Sequence, residues 1–164
     1  MRYLLIDKIK KIEFNKQITA IKNVTMSEDV FRDHFAGCPV MPGALLIESA
    51  AQAATALIEV SADFKVKAIL TIVEKAKFRK LVKPGDQLLI NVNMISIQSD
   101  SALLDCIITV NDKPVMDGRL VFNLMNSEKF YPLNGRIFIE SIFEYWLEGT
   151  EMTGFDRGKE LRHE

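Results

Sequence analysis

His34, Glu48 and Gln52 are the side chains whose types and spacing could support acid–base chemistry in this sequence. A lone histidine is more often structural than catalytic, but His34 precedes a loop constrained by glycine and proline, and such loops often hold reactive groups in place. Imidazole is the side chain that normally titrates near neutral pH. The other histidine, His163, lies in a polar C-terminal tail. His34 is therefore the candidate proton acceptor.

Glu48 and Gln52 are four residues apart in an apolar stretch that predicts a helix, so they share one helix face. Burial raises the pKa of a carboxyl group, which makes it a proton donor near neutral pH. Gln52 could hold that carboxyl group in one orientation. Alternatively, Glu48 only bonds a neighbouring strand or subunit, and the residues alone leave both interpretations open.

The start of the same helix is the third candidate element. Gly43 and Ala44 would present unpaired amides at the positive end of the helix dipole, where they could stabilise an enolate oxygen. A glycine at position 43 also lets a substrate approach the backbone closely. The signal is generic, because every helix has such an end.

Other chemistries have weaker support. Cys38 and Cys106 form no CxxC pair, and Cys38 with His34 would be at most a thiol–base pair or half a metal site. The chain has too few histidines and cysteines to complete a zinc site, so no metal is expected. It contains no P-loop, G-x-S-x-G or G-x-G-x-x-G motif. The solvent face of one predicted strand is basic and could receive an acidic partner: Lys75, Lys77, Arg79, Lys80 and Lys83.

Composition limits the class of protein. The chain has 164 residues, 48% of them hydrophobic and 26% charged, which fits one soluble domain with a real core. A formal net charge of −1 gives no general attraction to nucleic acid or to an anionic membrane. The longest apolar run, residues 44–60, is short for a membrane span and is interrupted by polar side chains. Residues 1–11 do not resemble a signal peptide. We expect a cytoplasmic protein.

Hydrophobic periodicity predicts an α+β fold. Two strands, at residues 2–14 and 17–26, precede one long buried helix at residues 43–60. Extended segments separated by turn residues follow the helix, and they lie at residues 66–73, 74–82, 87–98, 103–110 and 115–125. This order predicts an antiparallel sheet curled around the helix.

The C-terminal part has a different pattern. We divide the chain into a domain at residues 1–126 and an extension at residues 127–164. Residues 137–147 predict an amphipathic helix with Phe138, Ile142 and Trp146 on its apolar face, followed by a loose polar tail. The helix either docks on its own domain or contacts a partner, and the domain is expected to fold without the extension.

Residues 34–52, HFAGCPVMPGALLIESAAQ, resemble the signature of the beta-hydroxyacyl-acyl carrier protein dehydratases of fatty acid synthesis. The similarity is to the glutamate-bearing branch, with the pattern H-F-P-G-x-P-x-M-P-G-V-L-x-x-E-A-x-A-Q. Residues 3–8 (YLLIDK) resemble the opening strand of that family. Residues 77–88 resemble its segment K-F-R-x-x-V-x-P-G-D-x-L. The resemblance covers about residues 2–125, with three segments in the right order.

The resemblance implies a hotdog fold, in which an antiparallel sheet wraps one central helix, and a homodimer or a trimer of dimers. It implies an active site at the subunit interface, with the histidine from one subunit and the glutamate from the other. His34 would remove a C2 proton, and Glu48 would protonate the departing hydroxyl group. Gly43, Ala44 and Val40 would form the oxyanion and substrate-binding group, with the backbone at Val40 orienting the histidine.

The resemblance also implies the substrate, a 3-hydroxyacyl chain linked through phosphopantetheine to acyl carrier protein. No cofactor is implied. Ala36 replaces the usual proline, and Cys38 stands where histidine, asparagine or aspartate is common. The branch that also isomerises the double bond has aspartate at the acid position, so Glu48 argues against isomerisation without excluding it. Two alternatives stay open: a non-catalytic hotdog subunit that binds acyl carriers or scaffolds a partner, and an acyl thioesterase.

Overall fold

One long helix, α1 (Gly43–Ser61), packs against the face of a seven-stranded sheet in this computed structural model. The structure describes residues 4–32, 34–35, 37–131 and 135–154, and only the backbone of residues 135–139. The strands are β1 (Lys8–Glu13), β2 (Gln17–Asn23), β3 (Val66–Phe78), β4 (Gln87–Ile97), β5 (Ser101–Val110), β6 (Lys113–Asn126) and β7 (Glu151–Thr153). This architecture confirms the predicted α+β hotdog class.

The sheet order is β3-β6-β5-β4-β2-β1-β7, so β3 and β7 form its two edges. Neighbouring strands are antiparallel except β1 and β7, which are parallel. Apolar side chains alternate with polar ones along the inner strands, which directs one face of the sheet toward α1. On β5, for example, Leu104 and Ile108 are buried in the core.

Alanine makes α1 a suitable core helix. More than half of its length is buried against the sheet, and its buried alanines let strands approach closely: Ala50, Ala51, Ala53, Ala54 and Ala56. Pro42 precedes the helix, where its missing amide costs no hydrogen bond. By length and composition α1 could cross a bilayer, but here it fills the space beneath the sheet.

The edge strand β3 differs from the prediction. The sequence predicted separate extended segments at 66–73 and 74–82, whereas one strand, Val66–Phe78, pairs with β6 along its whole length. No turn residue separates the two segments. Instead, the register of the pairing between β3 and β6 shifts between Leu70 and Ile72 and again between Val73 and Lys75. Such bulges change the alternation of side chains within one continuous strand.

The C-terminal extension is part of the fold. It contains α2 (Ser127–Phe130), α3 (Gly135–Leu147) and β7. Phe143 and Trp146 are buried in the core, so α3 docks on its own domain. The predicted loose tail is wrong for Glu151–Thr153, which pair with β1, because β1 still had an open edge to bind them. Phe138 and residues 155–164 lie outside the described side chains and residues.

Candidate active site

The ring of His34 is oriented by a backbone carbonyl. Its Nδ1 lies 2.9 Å from the carbonyl oxygen of Val40, and its ring centroid lies 4.2 Å from that of Phe35. A carbonyl oxygen can only accept, so Nδ1 carries the proton in this contact. The lone pair is then on Nε2, which is the tautomer that a general base requires.

The segment that carries His34 has no strand partner, and a few backbone bonds fix it at its ends. At its start, the Val24 amide donates to the Asp86 carbonyl at 2.9 Å, and the Gly85 amide donates to Val24 at 2.8 Å. At its end, the Met41 amide donates to the Val82 carbonyl at 2.8 Å. The segment at residues 82–86 therefore contacts the histidine segment at both of its ends.

Glu48 is held by Gln52 on the same face of α1. The Gln52 Nε2 donates to Glu48 Oε1 at 2.9 Å, and the Gln52 Oε1 accepts from the Leu5 amide at 2.8 Å. Because the Leu5 N–H group requires an oxygen acceptor, the side-chain amide of Gln52 turns its oxygen toward Leu5 and its NH₂ group toward Glu48. The carboxyl group is thus anchored through Oε1, and Oε2 is the oxygen available to carry a proton. Sequence reasoning missed Leu5, since its contribution is a backbone amide without a side-chain signal.

The start of α1 lies beneath the ring of Phe78. The Leu45 and Leu46 amides donate to the Pro42 carbonyl at 3.0 and 3.3 Å, so helical bonding begins after the amides of Gly43 and Ala44. A Cβ atom on Gly43 would lie 2.9 Å from the Phe78 ring. A side chain at position 43 would therefore require the Phe78 ring to move. No local pattern in the sequence connects Phe78 with the helix start.

Base and acid do not contact each other within one chain. Among the described residues, no hydrogen bond joins His34 to Glu48, and each is held by its own anchors, Val40 and Gln52. A surface depression of about 440 Å³ is lined by the charged groups Asp105, Asp117 and Arg119 on the sheet rather than by either of them.

The basic cluster is exposed as the sequence predicted, but only Lys75 and Lys77 lie on β3, and Arg79, Lys80 and Lys83 follow the end of the strand. Arg79 is paired with Asp117, the Nε to Oδ1 distance being 2.5 Å, so that cation is largely neutralised. Lys77, Lys80 and Lys83 are exposed to solvent in the segment that carries Phe78. These three lysines leave a positive surface next to Phe78, whose ring lies against the helix start.

The cysteines have different surroundings. Cys38 is exposed in the loop between His34 and Val40, and Cys106 is buried on β5. Burial raises the pKa of Cys106 to about 11, and its thiol donates to the Gly118 carbonyl at 3.4 Å. Cys106 is therefore a protonated core residue. In the part of the chain that the structure describes, no three His, Cys, Asp or Glu side chains form a metal-binding group.

Comparison with known sequences gives matches over the hotdog domain. The family model described as the FabA-like domain matches residues 1–125. The 3-hydroxyacyl-acyl-carrier-protein dehydratase FabZ of Pediococcus pentosaceus is 42% identical over 127 residues, covering 77% of this chain and 85% of that protein. The corresponding Clostridium tetani protein is 43% identical over 120 residues, covering 73% and 84%.

Solved structures have the same fold at lower identity. The dehydratase heterocomplex ApeI:P of Xenorhabdus doucetiae has a TM-score of 0.63 and 14% identity, covering 78% of this chain and 87% of that one. A hot-dog-like protein of Thermanaerovibrio acidaminovorans has a TM-score of 0.58 and 14% identity, covering 78% and 88%. At this identity the likeness concerns the fold alone.

Proposed function

The chain belongs to the FabA-like domain family, and from this membership we propose a mechanism in which His34 and Glu48 dehydrate an acyl thioester. The reaction is the conversion of 3-hydroxyacyl-acyl carrier protein to the trans-2-enoyl thioester in fatty acid biosynthesis. The observation that carries this conclusion is the identity with FabZ dehydratases across nearly their whole length.

The mechanism follows from the orientation of the two groups. Nε2 of His34 takes the C2 proton, while the amides of Gly43 and Ala44 stabilise the negative charge that develops on the thioester oxygen. The C3–O bond then breaks, and Glu48 gives its proton to the departing hydroxyl group, which leaves as water. The proton on His34 returns to Glu48 through solvent, so no cofactor is needed. Gln52 keeps the carboxyl group of Glu48 in position throughout.

The proposed site requires two subunits, joined through β3. This strand is an edge, paired only with β6, and it presents the apolar side chains Ile72, Val73 and Phe78 to solvent. A long exposed apolar edge strand is an aggregation hazard unless another strand covers it. In the homodimer that we propose, the β3 strands of two copies pair, and each site takes His34 from one copy and Glu48 from the other. A trimer of such dimers is compatible with this arrangement.

The proposed carrier partner would be an acidic protein. Lys77, Lys80 and Lys83 are exposed in the segment next to Phe78 at the helix start, and such a surface could receive an acidic partner. Electrostatic attraction would guide the carrier to this side and raise the association rate. Its phosphopantetheine arm would then extend the acyl group past Phe78 toward the helix start. We place this reaction in the cytoplasm.

The experiment that tests the function is turnover with carrier-bound 3-hydroxyacyl chains of several lengths, with a mass readout of the product. Loss of one water from the acyl chain is the expected result. Release of free carrier thiol would instead indicate a thioesterase. Absence of turnover, alone and with proteins of the same pathway, would indicate a non-catalytic subunit.

A further inference from the structure

Lys22 on β2 is a buried cation next to the histidine segment. Its side chain is only 8% exposed, and its Nζ lies 3.1 Å from Glu28 Oε1 and 3.8 Å from Asp7 Oδ1. The same ammonium group donates to the carbonyl of Asn23 at 2.9 Å. A lysine is rarely buried without partners, because desolvating its charge is costly. Lys22 therefore connects the carboxylates of Glu28 and Asp7 with the carbonyl of Asn23.

Glu28 links this cation to the backbone of the histidine segment. Its Oε1 also accepts from the Thr25 amide at 3.0 Å, and its carbonyl accepts from the Phe31 amide at 3.1 Å. These bonds start the short 3₁₀ helix Asp29–Arg32, in the manner of a capping box. The Val30 carbonyl in that helix then accepts from the His34 amide at 3.2 Å. A continuous series of bonds leads from Lys22 to His34.

Asp7 gives the cation a second role. Its Oδ2 accepts from the Asn23 backbone at 2.6 Å and from the Asn23 side chain at 3.1 Å, so the carboxylate is fixed at the end of β2. Lys22 thus lies between two carboxylates, Asp7 and Glu28. Without the ammonium group these carboxylates would repel each other, and Glu28 is the one that is bonded to the start of the 3₁₀ helix before His34.

We propose that Lys22 is a positioning residue for dehydration, which holds Glu28 and, through it, the 3₁₀ helix and His34. This inference rests on the proposed function of His34. Lys22 does not touch substrate. Its contribution is to keep the imidazole within the small range of positions in which proton transfer is efficient.

The test compares Lys22→Met with Lys22→Arg and with the control Lys67→Met. Lys67 forms a second buried ion pair, with its Nζ 2.8 Å from Glu59 Oε1, on β3 outside the histidine segment. For Lys22→Met we expect kcat to fall by roughly tenfold to a hundredfold with little change in KM, because misplacement of a base affects the chemical step. Lys22→Arg should recover most of the rate, since arginine keeps the charge and can bond both carboxylates.

Lys67→Met should lower the melting temperature as Lys22→Met does but leave kcat unchanged. Hydrogen exchange at the His34 amide provides a readout that does not depend on turnover, and it should accelerate in Lys22→Met and not in Lys67→Met.

If Lys22→Met does not fold, Glu28→Gln serves as the second variant and should show the same changes in a milder form. Wild-type kcat in Lys22→Met, or equal loss of kcat in Lys67→Met, would overturn the proposal. If the wild-type protein shows no turnover but the two variants show the expected exchange pattern, the proposed function is contradicted, while the link from Lys22 to His34 is not.

Discussion

At the scale of single residues, the neighbours of His34 and Glu48 determine the orientation of the two side chains. The Val40 carbonyl selects one tautomer of the histidine. The Leu5 amide, acting through Gln52, selects which oxygen of Glu48 is anchored. His34 is therefore oriented by a main-chain atom directly, whereas Glu48 is oriented by one only through the Gln52 side chain.

The first prediction concerns these two groups. His34→Ala and Glu48→Gln should each lower kcat by about a hundredfold or more, the usual effect of losing a positioned base or acid. A steady-state assay with a 3-hydroxyacyl carrier thioester measures this. Glu59→Gln is the matched control, because Glu59 is a buried carboxyl group on the same helix that bonds Lys67 and the Ala68 amide. Wild-type rates in His34→Ala or Glu48→Gln would refute the acid–base assignment.

The second prediction concerns Gly43. In Gly43→Ala the new methyl group would overlap the Phe78 ring, and the ring must move because the helix backbone cannot. Since the ring is half exposed, we expect only a small loss of stability. We expect a clear fall in kcat/KM, because the displaced ring would alter the proposed substrate path beside the helix start. Thermal unfolding and steady-state kinetics measure the two effects. Partial recovery of kcat/KM in the double variant with Phe78→Leu is expected, and no recovery would argue against this steric cause.

At the scale of elements, the C-terminal extension completes the side of the domain opposite to β3. Phe143 lies edge-on to Phe64 at 5.2 Å and to Trp146 at 5.5 Å. The Thr150 hydroxyl donates to the Ile9 carbonyl at 2.7 Å, and the Phe14 amide donates to the Thr153 carbonyl at 3.0 Å. The extension therefore covers the β1 edge, and the two edges of the sheet are the long strand β3 and the three-residue strand β7.

The third prediction tests how much α3 stabilises the domain. Trp146 is 5% exposed, so Trp146→Ala should lower the free energy of unfolding by about 3–5 kcal/mol. Tyr145, its neighbour on the same helix, is 69% exposed, and Tyr145→Ala should change the free energy of unfolding by less than about 0.5 kcal/mol. Urea denaturation measures both. Equal effects would mean that α3 does not pack on the domain in solution.

At the scale of the whole molecule, β3 is the longer of the two edge strands, with 13 residues against 3 in β7, and it is the edge that we propose for assembly. The fourth prediction is that Ile72→Lys on β3 shifts the protein to monomers and abolishes turnover, because a charge on the pairing edge opposes strand addition. Ile72 is 53% exposed in the single chain. Ile95 is similarly exposed, at 51%, but it lies on the internal strand β4. Ile95→Lys is therefore the control and should stay dimeric. Light scattering after size exclusion measures the mass, and a dimeric Ile72→Lys protein would exclude β3 as the interface.

The fifth prediction tests whether two subunits share the site. Unfolding and refolding an equal mixture of His34→Ala and Glu48→Gln chains should restore about a quarter of wild-type activity, since half of the dimers are mixed and each has one intact site of two. The separate variants, refolded in the same way, are the controls. If the mixture is no more active than its components, the base and acid act within one chain.

The sequence alone was sufficient for α1 and for the class of fold, because helix periodicity and turn residues act over a few positions. The Gln52–Glu48 bond joins residues four apart, and local spacing predicts it. Only the tertiary structure decided that β3 is one edge strand, that Leu5 orients Gln52, and that Lys22 bonds Glu28. The Thr150–Ile9 bond joins residues 141 positions apart. Such contacts depend on how the sheet closes around the helix, and no local pattern in the chain encodes that closure.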